Sequence, residues 1–211
     1  MNPTSESARS ARSARSARSG RPLGFDRSEA LTRLMTLFWE TGFERVTQQQ
    51  MATATGLSTS SLYNTFGTKT EIYRQAMDDY LLRMRTVLEP LEHGARGRED
   101  VLETLTRVAD VLDSAYGRFG CMATTAMTAP ADEYVVAATE RYRERIRAAF
   151  RAVTERARDL GENVEDPVTT ANLMTAALLG TLTVARAAPD SPELAAQLRA
   201  LRDFVNGWRR P

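Results

Sequence analysis

Apolar side chains recur at three- and four-residue spacing from Asp26 almost to the C-terminus. This is the pattern of helices that each bury one face. No segment alternates at two-residue spacing as a half-exposed strand does, so the sequence predicts an all-α fold of about nine helices. The predicted helices cover residues 26–41, 47–55, 58–66, 68–92, 98–116, 121–128, 131–160, 168–187 and 191–207.

The ends of the first predicted helices carry capping residues. Thr47 precedes Gln50 by three residues and Thr68 precedes Glu71 by three, and both pairs have the composition of a capping box. Gly56 follows the second helix at a position suited to a left-handed backbone.

The N-terminal segment 1–21 is a Ser-Ala-Arg repeat. It holds five arginines and one glutamate, a net charge of +4, so the other 190 residues sum to 1 − 4 = −3. With almost no bulky apolar residue it cannot offset the entropy cost of ordering, and we predict a disordered arm. Two interpretations stay open: a low-complexity extension, or a basic arm that follows phosphates or enters a minor groove.

Composition argues against several protein classes. The sequence has no run of ~18 apolar residues, so it predicts no membrane span, and the N-terminus lacks the apolar core of a signal peptide. The single cysteine fits a reducing cytoplasm. With one histidine, one cysteine, no phosphate loop and no nucleophile elbow, the sequence predicts no enzyme, no metal site and no cofactor.

Residues 47–71 hold two short helices joined by a glycine turn, the helix-turn-helix arrangement whose second helix enters the major groove. That second helix has neither lysine nor glutamate, although a solvent-facing helix usually contains both. Asn64 is its best candidate for a bidentate contact to adenine. The alternative is a polar helix packed in an ordinary bundle. The side chains predicted to point outward are Thr59, Ser60, Ser61, Asn64 and Thr65.

Residues 38–73 resemble the DNA-binding domain of the TetR family of bacterial regulators. About 47 residues, roughly 30–76, fit the family pattern, whereas residues 80–211 match in architecture only. The matching elements are Phe38, Gly42-Phe43, Thr47, Ala52-Thr53, Gly56-Leu57-Ser58, Leu62-Tyr63, Phe66, Lys69 and Glu71.

The resemblance implies a function and a domain plan. It implies a helix-turn-helix domain over residues 22–68 and a ligand-binding and dimerisation domain over residues 69–211. The chain would be a ligand-responsive repressor that binds a palindromic operator on double-stranded DNA. It would act as a homodimer paired through its last two helices, in the bacterial cytoplasm and associated with the nucleoid.

The resemblance also implies roles for single residues. Thr47, Tyr63 and Lys69 look like the family's phosphate contacts. Lys69 is the chain's only lysine, beside 27 arginines among its 28 basic residues. Bases or flanking phosphates would be contacted by Gln48, Thr59, Ser60, Ser61, Asn64 and Thr65.

The charge of the predicted head is unfavourable for a polyanion. Residues 22–80 hold five basic and seven acidic side chains, a net of −2. One hypothesis is that the arginine arm supplies the missing attraction. The other is that the chain is a helical ligand-binding or protein-interaction module with weak or lost DNA recognition.

The second region also offers candidates for an effector pocket. Methionine and aromatic side chains form adaptable walls for an apolar or aromatic molecule, although each is equally suited to plain core packing. Cys121 is either a reactive sensor or buried packing. The pocket candidates are Leu88, Leu105, Tyr116, Phe119, Cys121, Met122, Met127, Tyr134 and Tyr142.

Overall fold

The computed structural model describes residues 25–209, so the arginine-rich segment 1–21 lies outside the described residues. Within 25–209 the chain forms ten α-helices and one 3-10 turn, Gly117–Phe119, and no strand. The predicted all-α fold is confirmed. The helices are α1 Arg27–Thr41, α2 Gln48–Thr55, α3 Thr59–Phe66, α4 Lys69–Arg83, α5 Arg85–His93, α6 Arg98–Asp113, α7 Met122–Thr128, α8 Glu133–Asp159, α9 Pro167–Ala187 and α10 Pro192–Asn206.

The predicted capping boxes fix where the early helices begin. Thr47 accepts a hydrogen bond from the Gln50 amide, and the Gln50 side chain accepts one from the Thr47 amide. Thr68 and Glu71 form the same reciprocal pair at the start of α4. These bonds satisfy amides that a helix N-terminus otherwise leaves unpaired.

The helix predicted over residues 68–92 is in fact two helices, and that prediction was wrong. α4 ends at Arg83, and Met84 lies between it and α5. The break at Met84 coincides with a change of packing partner, because α4 packs along α1 whereas α5 packs against α6 and α8. Pro90 lies inside α5, six residues after the break, and does not end α4. The helix predicted over 98–116 ends earlier, at Asp113, where Ser114 turns to extended backbone.

The head of the molecule, α1 to α3 with the first half of α4, is built around buried aromatic side chains. Phe38 lies edge-on to Tyr73 with 5.0 Å between ring centroids. Met51, Leu62 and Phe66 bring α2 and α3 onto the same core. The two short helices are therefore held by one buried face each, and their other faces are free to meet a partner.

The larger helical region is organised by α8, the longest helix with 27 residues. Its Ile146, Phe150 and Val153 are fully buried, and α9 packs along it. Charged side chains occupy its outer face, where Arg143 bridges Glu140 and Glu144.

One described helix, α9, is long and apolar enough by length and composition to cross a membrane, with a mean hydropathy of 1.4, although it is not a continuous apolar run of the kind sought in the sequence. Threonines and a glycine interrupt the leucines of α9, so its apolar stretches are short although the helix as a whole is apolar. A core helix of a globular protein passes the same test, and α9 packs one face against α8.

Candidate nucleic-acid interface

Two short helices at one end of the molecule carry the candidate interface. Gly56 closes α2 in the left-handed region, at φ 70°, and its amide donates to the Ala52 carbonyl over 2.9 Å. This turn lets the chain reverse within a few residues, because glycine adopts positive φ without steric cost. Leu62 is fully buried, which fixes the roll of α3 and turns its polar face away from the core.

Three of the five side chains predicted to point outward from α3 are exposed. Ser60, Ser61 and Asn64 are exposed, whereas Thr59 and Thr65 are partly buried. Asn64 is placed one turn after Ser60, so these side chains form one strip along the helix. An amide and hydroxyls in such a strip can donate to and accept from base edges.

The N-terminus of α3 concentrates hydroxyl groups. The Ser58 hydroxyl accepts from the Ser61 amide over 3.1 Å and donates to the Ser61 hydroxyl over 2.9 Å. The Ser60 hydroxyl lies 3.1 Å from that of Ser58. Because free amides and the positive end of the helix dipole lie here, the cluster suits an anion such as a phosphate oxygen.

The N-terminus of α2 presents Thr47 and Gln48, both exposed. The Thr47 hydroxyl donates to the Gln50 side-chain carbonyl over 3.0 Å, so its proton is used within the capping box. A phosphate contact by Thr47 therefore requires this bond to be exchanged. Gln48 is free to reach outward.

Lys69 lies against the α1–α2 connection. Its ammonium donates to the Glu44 carbonyl over 3.3 Å and sits 4.7 Å from the centroid of the Phe43 ring. An ammonium has three donors, so this contact positions the group and leaves two for another acceptor. Tyr63, the third predicted phosphate contact, is half-buried against the head core.

A carboxylate lies beside this surface. Glu71 accepts from the Thr68 amide over 2.7 Å and from the Thr68 hydroxyl over 2.9 Å. These hydrogen bonds, that to the amide first, hold the pKa of Glu71 below its ordinary value. A negative charge at the start of α4 would repel a polyanion, and Lys69 is the neighbouring cation that would offset it.

A junction behind the head ties it to the larger region, and these contacts were not predicted from the sequence. The Trp39 indole donates to the Gly120 carbonyl over 3.0 Å. Arg186 of α9 donates to the Trp39 carbonyl over 2.8 Å and to the Phe119 carbonyl over 3.1 Å. Burial, and then the charge of Arg45, lower the pKa of Arg186. No local pattern marks these residues, because the contacts join segments distant along the chain.

Cys121, next to this junction, is 1% exposed and accepts a hydrogen bond from the Tyr80 hydroxyl over 3.2 Å. Burial, followed by the nearby Cys121, raises the pKa of Tyr80 well above 10. In this conformation the thiol is therefore enclosed, as the packing interpretation predicts.

The predicted pocket residues are spread through the larger region. Leu88, Leu105, Cys121 and Met122 belong to the buried core, and Phe119 and Met127 pack against it. Tyr116 and Tyr134 are exposed: the first stacks on Trp39, and the second donates to Asp78 over 2.6 Å. Tyr142 lines a cleft between α4 and α8. Their assignment to one pocket remains a prediction.

Comparison with known proteins places this surface in a family context. Residues 31–76 match the model described as bacterial regulatory proteins, tetR family. The HTH-type transcriptional repressor ComR of Escherichia coli K12 is 39% identical over 64 residues, 30% of each chain, so the match spans less than a third of ComR. The HTH-type regulator YezE of Bacillus subtilis 168, itself uncharacterised, is 28% identical over 151 residues, 70% of this chain and 78% of YezE.

Solved structures extend the likeness to almost the whole chain. A cysteine mutant of the TetR family regulator CifR, complexed with a 26 bp double-strand operator DNA, is 27% identical. It aligns with a TM-score of 0.75 over 90% of this chain and all of its own. The reduced form of NemR from E. coli is 16% identical with a TM-score of 0.69, over 83% of this chain and 94% of NemR, a likeness of fold alone.

Proposed function

The chain belongs to the tetR family of bacterial regulatory proteins, and from this premise we propose that it is a ligand-responsive repressor that binds a palindromic operator as a homodimer. The observation that carries the proposal is the exposed strip of Ser60, Ser61 and Asn64 on α3, behind a turn that holds α3 against α2. It would act in the bacterial cytoplasm, on the nucleoid.

In this proposal the residues divide into two roles. Asn64 hydrogen-bonds an adenine edge, with hydroxyls of Thr59, Ser60, Ser61 and Thr65 reaching neighbouring bases or phosphates. Phosphates are held by Thr47, Gln48, Tyr63 and Lys69 at the ends of α2, α3 and α4. Phosphate contacts fix the register of the protein on the duplex, and base contacts select the sequence.

The proposed dimer rests on an uncovered apolar face. α9 and α10 border a groove of about 470 Å³ with little polar lining. Leu173 and Phe204 on this groove are 53% and 41% exposed. Gly180 and Ala177 leave room for a second helix to approach closely. Exposed apolar surface of this kind marks a protein interface, and a second copy would cover it through a two-fold axis.

Leu173→Glu tests the dimer. The wild type should have twice the 23.4 kDa mass of one chain by light scattering, and the variant should have the mass of one chain. Val136→Glu on α8 is the matched control, because Val136 is similarly exposed at 49% but lies away from the groove. A wild type that is monomeric at micromolar concentration contradicts the proposal.

The acidic head gives the arginine segment a role in this proposal. Neutral donors and helix ends position the DNA, and residues 1–21 add cations that attract any duplex. Deleting 1–21 should weaken binding to all sequences alike and lower the salt dependence by ~0.9 log unit for each phosphate that the arm neutralises. An unchanged salt slope contradicts this role.

A mobility-shift assay with DNA from upstream of the chain's own gene tests the whole proposal. A shift at low salt that specific competitor removes is expected, and deletion of the gene should raise expression of a reporter from the same DNA. The acidic balance of the head favours one alternative, a helical module with weak or lost DNA recognition. No shift at low salt would support that alternative.

A further inference from the structure

A surface cleft of about 480 Å³ lies between the end of α4, the start of α5 and the outer face of α8. Its floor is apolar, with Leu81, Leu82 and Ala138. Leu82 is 58% exposed, so it offers apolar surface to a molecule in the cleft. Three arginines border the same cleft: Arg85 from α5, and Arg141 and Arg145 from successive turns of α8.

The positive charge of this border is only partly matched. Arg145 is held by Glu92, with 2.6 Å between its Nη2 and the glutamate Oε2. Arg85 and Arg141 have no carboxylate within ion-pair distance in the part of the chain that the structure describes. Asp78 is the acidic residue among those that line the cleft, and it already accepts a hydrogen bond from the Tyr134 hydroxyl over 2.6 Å. Two guanidinium groups therefore remain available, and guanidinium binds carboxylates with paired, charge-assisted hydrogen bonds.

A tyrosine hydroxyl also reaches this cleft. Tyr142 lines the cleft and is 8% exposed, and its hydroxyl makes no hydrogen bond within residues 25–209. The hydroxyl oxygen itself is not among the buried polar atoms, so it is accessible to a molecule in the cleft. Burial raises the pKa of Tyr142 well above 10, so the phenol keeps its proton and can donate.

We propose that the cleft binds an amphipathic anion, a carboxylate on an aliphatic body. The carboxylate lies between Arg85 and Arg141 and accepts from Tyr142, and the aliphatic body covers Leu81, Leu82 and Ala138. Such a ligand differs from the apolar or aromatic effector expected from the sequence in having one charged end.

Given the proposed function, the location of the cleft suits control of the head. The cleft spans Met84, where α4 and α5 meet, and α4 packs against α1 of the head. A ligand that bridges α5 and α8 would fix the bend at Met84. It would release DNA only if it binds the non-binding arrangement more tightly than the DNA-bound one.

Calorimetric titration of the full chain with octanoate, octanol and octylamine at constant ionic strength tests the ligand class. Octanoate should bind with one site per chain, octanol about tenfold more weakly or worse, and octylamine not at all. Arg141→Gln and Arg85→Gln should each weaken octanoate about tenfold, and Tyr142→Phe should weaken it less. Arg151→Gln is the matched control on α8, because Arg151 is exposed and pairs with Glu155.

Equal binding of octanoate and octanol, or equal octanoate affinity in Arg141→Gln and Arg151→Gln, would overturn the proposal. Melting curves show that the variants are folded, and since Arg85 and Arg141 are exposed, their replacement should leave the melting temperature unchanged.

A separate DNA titration distinguishes this proposal from the proposed function. Release of DNA by octanoate in the wild type but not in Arg141→Gln supports the cleft as the effector site. Selective octanoate binding without release overturns that role. If the chain binds no DNA, the proposed function fails, and the calorimetric selectivity still decides whether the cleft takes the anion.

Discussion

Gly120→Ala should destabilise the chain through the junction between the head and α9. Gly120 has φ 64° and ψ −139°, outside the left-handed helical region, and an L-residue held there costs about 1–3 kcal/mol. A Cβ built at this position would lie 2.7 Å from the Arg186 Cβ and 2.7 Å from the Leu182 carbonyl oxygen. The second neighbour is helix backbone and cannot rotate away, so overpacking adds about 1–3 kcal/mol.

Gly42→Ala separates the two contributions. Gly42 has φ 84° and ψ 150°, and nothing lies within 4 Å of a Cβ built there. It should therefore show the backbone cost of about 1–3 kcal/mol alone. The free energy of unfolding in urea, measured by circular dichroism at one protein concentration, should fall about 1–3 kcal/mol further for Gly120→Ala than for Gly42→Ala. Equal losses of unfolding free energy would show that the backbone at Gly120 is not packed as closely against α9 as in the structure.

Three further outcomes are expected. Asp100→Asn should lower the free energy of unfolding in urea by about 3–5 kcal/mol, because this fully buried carboxylate accepts from the Arg96 amide over 2.7 Å and lies 3.3 Å from Arg156. The control Asp110→Asn, at an exposed position on the same helix, should change it little. Glu71→Gln should lower the free energy of unfolding at neutral pH. Because the pKa of Glu71 is held below 4.5, the difference in unfolding free energy between variant and wild type should close as pH falls from 4.5. A difference that stays constant with pH would contradict a stabilising role for the Glu71 charge. Lys69→Ala should weaken operator and random duplexes alike and lower the salt slope by ~0.9 in anisotropy titrations; an intact slope would leave the electrostatics to the arm.

The sequence predicted what depends on neighbours along the chain. Helix starts follow from capping pairs such as Thr47 with Gln50, which form within one turn whatever the rest of the chain does. The roll of α3 follows from Leu62, because one buried side chain decides which residues face outward. The residues of the candidate interface were predicted from these local rules.

What the sequence missed depends on contacts between distant segments. Arg186 looks like any arginine near a helix C-terminus, and only the fold brings it to the Trp39 carbonyl, 147 positions away. The bend at Met84 follows from where α5 packs, so the periodicity across it gave no warning. The cleft between Arg85 and Arg141 joins two helices, and only the fold brings these two arginines to the same cleft.

The operator preference of Asn64→Ala tests the central claim, that the exposed face of α3 reads DNA sequence. The measurement is the ratio of dissociation constants for the footprinted operator and a scrambled duplex of the same composition, at one salt concentration. A bidentate contact contributes about 1–3 kcal/mol of discrimination, so the ratio should fall by about 5- to 150-fold in the variant while affinity for the scrambled duplex stays nearly unchanged. An unchanged ratio would show that Asn64 does not read a base and would contradict the account.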